Sequence, residues 1–271
     1  MSEFKRIISK VEIKNNFVVK GYQLEGLKKI SKPEETIKKY FIDGIDEIFI
    51  QDVVASLYGQ TFDVNYIQKI LSGIFVPVTI SGGIRNMSNA RDIMRKGSDR
   101  ISLNSAILKN QIFLKELITH FGSSNIIASV EAKKFDNKYY CMSEYGRNNS
   151  EILLEDHLKR IQNIGVGEVI LISVDNDGSD VGINDEILEI AKKNLKIPIV
   201  YQGGISSIEH IVNVFKKYDI DGVCLCSILL KNYFIQKNDL NNQFFTKEKN
   251  LNLNILKIKK ILSGEGIKVR I

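Results

Sequence analysis

Only three cysteines occur in the 271 residues, Cys141, Cys224 and Cys226. They are odd in number and show no CxxC spacing, which argues against a disulfide framework and a cysteine-ligated metal and fits a reducing compartment. The pair in "VCLCS" sits in an apolar, strand-like run, where buried thiols are expected rather than a redox pair. Long hydrophobic runs are missing as well. No apolar leader follows the start "MSEFKRIISKVEIKN", and no run approaches the ~18 residues of a membrane span, so a cytoplasmic protein with no membrane partner is expected. The net charge of +6 and pI near 9.0 permit an anionic partner. Lysines and arginines are spread along the chain, however, with some concentration over 231–260, and no aromatic-interleaved basic stripe is present. Nucleic acid is therefore not an expected partner, whereas a phosphorylated small molecule is compatible.

What is present is a repeat. With 44% hydrophobic and 26% charged residues the chain can bury an ordinary core, and it writes its core segments twice. "IISKVEIKN" at 7–15 returns as "IIASVEAKK" at 126–134, which sets Glu12 and Glu131 119 positions apart. "DEIFIQD" at 46–52 is echoed by "GEVILIS" at 167–173, with Glu47 and Glu168 separated by 121. "VPVTISGGI" at 76–84 returns as "IPIVYQGGI" at 197–205, and "SAIL" at 105–108 as "CSILL" at 226–230. Four matched segments in one order at a nearly constant offset mark a duplicated half-domain, roughly 1–122 and 123–271, whose period is far longer than a solenoid repeat.

Each half reads as alternating strands and helices. Strands are expected near 6–12, 47–52, 77–81 and 100–103, then near 126–131, 168–174, 198–202 and 222–225. Pro33 marks a helix start, Ser88 is the expected N-cap of the helix in "NMSNARDIMRKG", and Gly97 its stop. Later helices are expected near 151–164, 185–194, 207–217 and 252–262. The strand segments are rich in Ile and Val without strict alternation, as strands buried on both faces should be. Eight parallel βα units in about 250 residues make a (β/α)8 TIM barrel. A doubly wound open sheet would explain the alternation but not the two-fold duplication.

In such a barrel, chemistry gathers at the C-terminal strand ends. Glu12 and Glu131 end equivalent strands, so two carboxylates are expected to converge on one cavity, as paired acid–base chemistry requires. A bland alternative pairs each with a nearby lysine, Lys14 or Lys133. Gly82–Gly83 and Gly203–Gly204 each follow a strand and precede a helix, an arrangement that lets backbone N–H groups approach an anion. Asn104 and Ser105 in one half, and Ser227 in the other, add small polar groups. Two phosphate sites flanking two carboxylates imply an elongated substrate with a phosphate at each end. The loop "DNDGSDVGIN" brings Asp175 and Asp177 to the end of the sixth strand. Its twelfth position, Glu186, falls within a new helix, so a calcium loop is not expected. No metal or cofactor is expected elsewhere.

Taken together, "RIISKVEIKNNFVVKG", "DEIFIQDVVAS", "SGGIRNMSNARDIMRKGSDRISLNSA", "DNDGSDVG", "QGGISSIEHIV" and the closing "GIKVRI" resemble the HisF family, the cyclase subunit of imidazole glycerol phosphate synthase, over essentially the whole chain. The sister isomerase shares the duplicated barrel and is the nearest confusable relative. The resemblance implies a barrel that takes ammonia from a separate HisH-like glutaminase subunit docked at its N-terminal face. It implies an ammonia gate of Arg6, Glu47, Arg100 and Glu168 at strand beginnings, where solvent-facing charge would otherwise be expected, and a partner contact at Asp99. It extends the substrate-binding set to Lys20, Asp52, Asp177, Gly178 and Ser179. The chain itself offers no Cys–His–Glu glutaminase set, since His120, His157 and His210 fall in helix-like segments.

Departures from the family pattern concentrate at the chemical centre. The two catalytic acids of the family are aspartates, and both are glutamates in this chain, Glu12 and Glu131. An added methylene moves a carboxyl by roughly an ångström, a displacement that can cost about 10²-fold in rate. The family's Asp-Gly turn is Asn15–Asn16, its strand-seven loop glycine is Ser206, and its strand-four threonine is Ser105. Residues 231–250 form an extra polar connection. Two functions follow. One is the family's cyclase–lyase reaction on a bisphosphate aminoimidazole ribonucleotide. The other is a divergent ammonia-channelling subunit serving another amidation, such as that of a surface sugar, with an activating scaffold for the glutaminase as its limit.

Overall fold

The computed structural model describes residues 3–236 and 253–271. Strand β1 (Arg6–Lys14) is followed by β2 (Phe17–Tyr22) and β3 (Glu25–Ser31), helix α1 (Pro33–Ile42), β4 (Glu47–Asp52), α2 (Val64–Ile70), β5 (Val78–Ser81), α3 (Met87–Arg95), β6 (Arg100–Leu103), α4 (Ser105–Lys109) and α5 (Gln111–Phe121). The same succession then recurs with β7 (Ile126–Phe135), β8 (Lys138–Ser143), β9 (Asn148–Leu153), α6 (Leu154–Ile164), β10 (Glu168–Ser173), α7 (Asp185–Asn194), β11 (Ile199–Gln202), α8 (Ile208–Tyr218), β12 (Gly222–Leu225), α9 (Ser227–Gln236) and α10 (Ile255–Gly264). Among the described residues no helix is long and apolar enough to cross a membrane.

Eight of the strands, β1, β4, β5, β6, β7, β10, β11 and β12, pair in parallel, and β12 closes on β1 to complete a (β/α)8 barrel. Side chains alternate across each strand. Ile7, Val11, Ile48, Ile50, Ile80 and Ile101 therefore join the apolar layer beneath the helices. Ile8, Phe49, Ile127, Ile170, Ile172, Val200 and Cys224 form a separate cluster inside the barrel. The register fixes which residues share the lumen, because Ile8 lies opposite Glu47 and Cys224, and Glu12 opposite Gln51.

The four antiparallel strands are additions that the sequence reading did not separate from the barrel. β1 runs into β2 through Asn15–Asn16, both left-handed at φ 49° and 59°. β7 runs into β8 through Asp136–Asn137 at φ 46° and 63°. Two successive left-handed residues are the signature of the tightest hairpin, which Asn and Asp tolerate. A second pair of left-handed turns, Gln23–Leu24 and Glu144–Tyr145, closes each arm. Leu24 and Tyr145 meet Val19, Val53, Val54, Met142 and Val174 in a third buried cluster at the mouth.

Helix ends correct the sequence expectations in detail. Asn86, not Ser88, caps α3, its side chain accepting from the Asn89 N–H, while the Ser88 hydroxyl faces Asp92. The helix expected from 151 starts at Leu154, because 148–153 pair as β9. Pro33 begins α1 as expected, its fixed φ suiting the first helical position. Of the polar connection 231–250, residues 231–236 belong to α9, and 237–250 lie outside the described residues.

Candidate active site

Glu12 and Glu131 lie inside the barrel mouth, 0% and 1% exposed. Their surroundings differ sharply. Glu12 is held between two buried ammonium groups, with Lys10 Nζ 3.1 Å from Oε1 and Lys20 Nζ 3.2 Å from Oε2. The Lys10 contact is an ion pair without hydrogen-bonding geometry. Lys20 continues to Asp177 Oδ1 at 2.6 Å, and Gln202 donates to Asp177 Oδ2 at 3.2 Å. The thiol of Cys226 donates weakly to Glu12 at 3.9 Å. Burial opposes the charge on Glu12, but Lys20 and Lys10 override it and hold the carboxyl well below its usual range. Neither Lys14 nor Lys133 is the partner that the bland reading expected.

Among the described residues no cation is paired with Glu131. Its Oε2 accepts the Gly146 N–H at 2.8 Å. Burial pushes its carboxyl up to about 7; Lys10 and the Gly146 N–H pull it down, while Asp177 and Glu12 push it further up. One permanent anion beside one carboxyl that titrates near neutrality is the division of labour that acid–base chemistry uses.

Two cavities flank the pair. One is lined by Gly82, Gly83, Asn104 and Ser105 and reaches Glu131 and Asp52. The other is lined by Gly203, Gly204 and Ser227 and reaches Asp177 and Gly178. Gly83 and Gly204 lie at φ 70° and 71°, where a Cβ would meet Gln60 O at 2.4 Å and Gly182 O at 1.9 Å, so no other residue fits the close approach. Helices α3 and α8 are capped by Asn86 and Ser207, whereas α4 starts at the first cavity with no side-chain cap. Several expected binding groups already have partners. Asn104 donates to Met142 O, the Ser105 hydroxyl accepts from Glu144 N–H, and the Ser179 hydroxyl donates to Asn176 O. Asp52 accepts from the N–H groups of Val54 and Ala55, and burial nonetheless raises its carboxyl.

At the opposite end, Arg6, Glu47, Arg100 and Glu168 close a ring of alternating charge. Arg6 donates to Glu47 at 3.0 Å and Glu168 at 2.6 Å, and Arg100 donates to Glu47 and, at 3.5 Å, to Glu168. The register turns all four into the lumen, away from the solvent-facing position of the bland alternative, and Glu47 and Glu168 are buried. Burial raises the Glu168 carboxyl against the pull of Arg6 and Arg100. Asp99 is exposed at the start of β6 and accepts the Val78 N–H at 2.7 Å. Asp46 and Asp221 make the same bond to Ile7 and Ile199, so this carboxylate has a structural duty repeated elsewhere around the barrel base.

Two residues of the mouth escaped the sequence reading. Lys10 stands two residues before Glu12 and so on the same face, a signal that strand alternation carries. Tyr145 comes from a turn, and its hydroxyl lies near Glu12, whose charge adds to burial in raising it. His120, His157 and His210 lie on α5, α6 and α8 as expected. His157 is fully buried, and burial together with Arg160 lowers it to about 3.

These features define a (β/α)8 protein whose candidate chemistry sits at the C-terminal mouth, between two glycine-lined cavities. A model of the family described as "Histidine biosynthesis protein" matches residues 6–234. Imidazole glycerol phosphate synthase subunit HisF of Natranaerobius thermophilus is 32% identical over 242 residues, covering 86% of this chain and 96% of the relative. The HisF subunit of Bacillus cereus is 32% identical over 225 residues, with 83% and 89% covered, and that of Legionella pneumophila 31% over 205 residues, with 75% and 97% covered. The chain belongs to the HisF family of histidine-biosynthesis barrel proteins.

Proposed function

We propose that the chain is a cyclase–lyase subunit that joins ammonia to a bisphosphate aminoimidazole ribonucleotide and releases imidazole glycerol phosphate and the aminoimidazole carboxamide ribotide. The observation that carries this reading is the unlike pair of buried carboxyls between two glycine-lined cavities. The cavities would take the substrate's two phosphates, at Gly82–Gly83 with Asn104–Ser105 and at Gly203–Gly204 with Ser227. Glu131, protonated in part near neutral pH, would protonate the leaving nitrogen. Glu12 would stabilise positive charge as the ring closes. Ammonia would come from a HisH-like glutaminase docked around the barrel base and enter through the ring of Arg6, Glu47, Arg100 and Glu168.

One observation favours a second reading. A Glu12 clamped between Lys10 and Lys20 exchanges protons poorly, which suits an ammonia-channelling subunit whose acceptor chemistry lies elsewhere. Turnover of the family substrate with ammonium salts and no glutaminase decides between them. Activity that is lost in Glu131→Gln supports the cyclase. An inactive protein that still stimulates a glutaminase rejects it.

A further inference from the structure

Lys10 has entered so far only as a neighbour of Glu12, yet it is buried at the heart of the molecule, 1% exposed. Its ammonium lies 6.0 Å from the centre of the Phe49 ring in the lumen and 5.8 Å from that of Tyr145 at the mouth. Among the described residues it has no hydrogen-bond partner. A buried ammonium without hydrogen bonds is costly unless carboxylates compensate it, and the nearest one is Glu12 at 3.1 Å.

A charge count around Glu12 gives this contact its meaning. The strand of Glu12 itself supplies Lys10, β2 supplies Lys20, the loop after β10 supplies Asp177, and β7 supplies Glu131. The turn after β8 supplies Tyr145, and β12 and its end supply Cys224 and Cys226. Burial pushes the Cys224 thiol up to about 12 and those of Cys226 and Tyr145 upward too, so all three stay neutral at physiological pH. Among the described residues, two ammonium groups then face three carboxyls. Lys20 is shared between Glu12 and Asp177, and Lys10 completes the balance, leaving Glu131 as the group without a counter-charge.

We propose that Lys10 is a positioning residue that fixes Glu12 as a permanent carboxylate, so that the one exchangeable proton of the site resides on Glu131. The inference rests on the reading of Glu131 as proton carrier, but the charge state it specifies belongs to the free protein. Lys10→Met leaves one ammonium for three carboxyls, and the pair Glu12 and Glu131 should bind additional proton at neutral pH. Lys10→Arg restores the charge.

The test is a carboxyl-carbon NMR titration of the full chain labelled at glutamate, in wild type, Lys10→Met and Lys10→Arg. In wild type, Glu131 should titrate near neutrality while Glu12 stays constant down to pH 4. In Lys10→Met the midpoint of either carboxyl should rise by at least about one pH unit, the size of effect that a close opposite charge exerts, and Lys10→Arg should return it. Unchanged titration of both carboxyls in Lys10→Met overturns the proposal. Should the variant not fold, the wild-type Nζ nitrogen shift of Lys10 decides instead: an ammonium at pH 7 is expected, and a neutral amine refutes it. Absence of turnover in every variant would remove the cyclase reading and leave this titration, and the inference drawn from it, standing.

Discussion

Replacing each of the two mouth glutamates by glutamine should give opposite results, although the chemical change is identical. Glu131 is raised from a usual 4.5 to about 7 in the folded protein, so the native state binds more proton than the unfolded chain between those values. Stability is then highest at acid pH and falls as pH rises through 7. Raising that carboxyl from 4.5 to about 7 corresponds to roughly 3 kcal/mol. Glu131→Gln keeps an acceptor for the Gly146 N–H but cannot ionise, so it should match wild type near pH 4.5 and exceed it by roughly 3 kcal/mol at pH 8.5. The slope that remains belongs to the other shifted groups: Glu168 and Asp52, which burial also raises, and His157, which burial lowers and which therefore acts with the opposite sign. Glu12 is lowered, so its contribution is fully present above its usual value and is lost only in strong acid. Glu12→Gln strips the carboxylate from Lys10 and should cost ~3–5 kcal/mol across the neutral range. Urea denaturation of both variants from pH 4.5 to 8.5 measures this directly. Parallel stability curves for wild type and Glu131→Gln would refute the claim that this carboxyl is buried without a cation.

Gly204→Ala should lose more stability than Gly59→Ala in thermal unfolding: both residues have positive φ, but only the former would press a Cβ onto a carbonyl, at 1.9 Å. Strain alone costs ~1 kcal/mol, so equal losses would mean that the loop yields at that contact. Arg100→Met leaves Glu47 and Glu168 sharing Arg6 alone and should destabilise by ~3 kcal/mol or more at pH 8, with recovery toward pH 5 as Glu168 takes a proton; a pH-independent loss would contradict the ring's electrostatics. Asp99→Ala and Asp221→Ala should each cost about 1–2 kcal/mol through the lost strand-start bond. If only Asp99→Ala also weakens complex formation with a glutaminase in calorimetry, Asp99 is a contact residue; equal weakening by both would assign the effect to the barrel base.

The duplication was legible because barrel strands are short, apolar and end in chemistry-bearing residues, so Glu12 matched Glu131 and Gly82–Gly83 matched Gly203–Gly204 without any structure. The arms were not, since "FVVKGY" and "KYYCMS" continue the preceding strands and their two-residue turns at Asn15–Asn16 and Asp136–Asn137 lack glycine. Left-handed Asn is tolerated for reasons of sterics that composition alone underweights. The inward direction of Arg6 and Glu168 was implied by the resemblance and not by the residues themselves. It depends on strand register, and a slip of one residue would turn them out. Lys10 was visible in principle from alternation alone, but a lysine inside an apolar strand reads as a surface residue until the register assigns it to the lumen.

Between the charged ring and the mouth, the lumen is crossed by a slab of apolar side chains: Ile8, Phe49, Ile127, Ile170, Val200 and Cys224, none more than 2% exposed. Electrically this slab is the insulator of a capacitor whose plates are the two charged assemblies. An ion crossing it would lose its hydration at a cost of tens of kcal/mol, whereas a small uncharged polar molecule loses only a few. The base and the mouth can therefore hold different protonation states at the same time. Glu131 lines the cavity at the mouth and is cut off from the charged ring by the slab, so the proton on it is exchanged from the mouth side and not along the barrel axis.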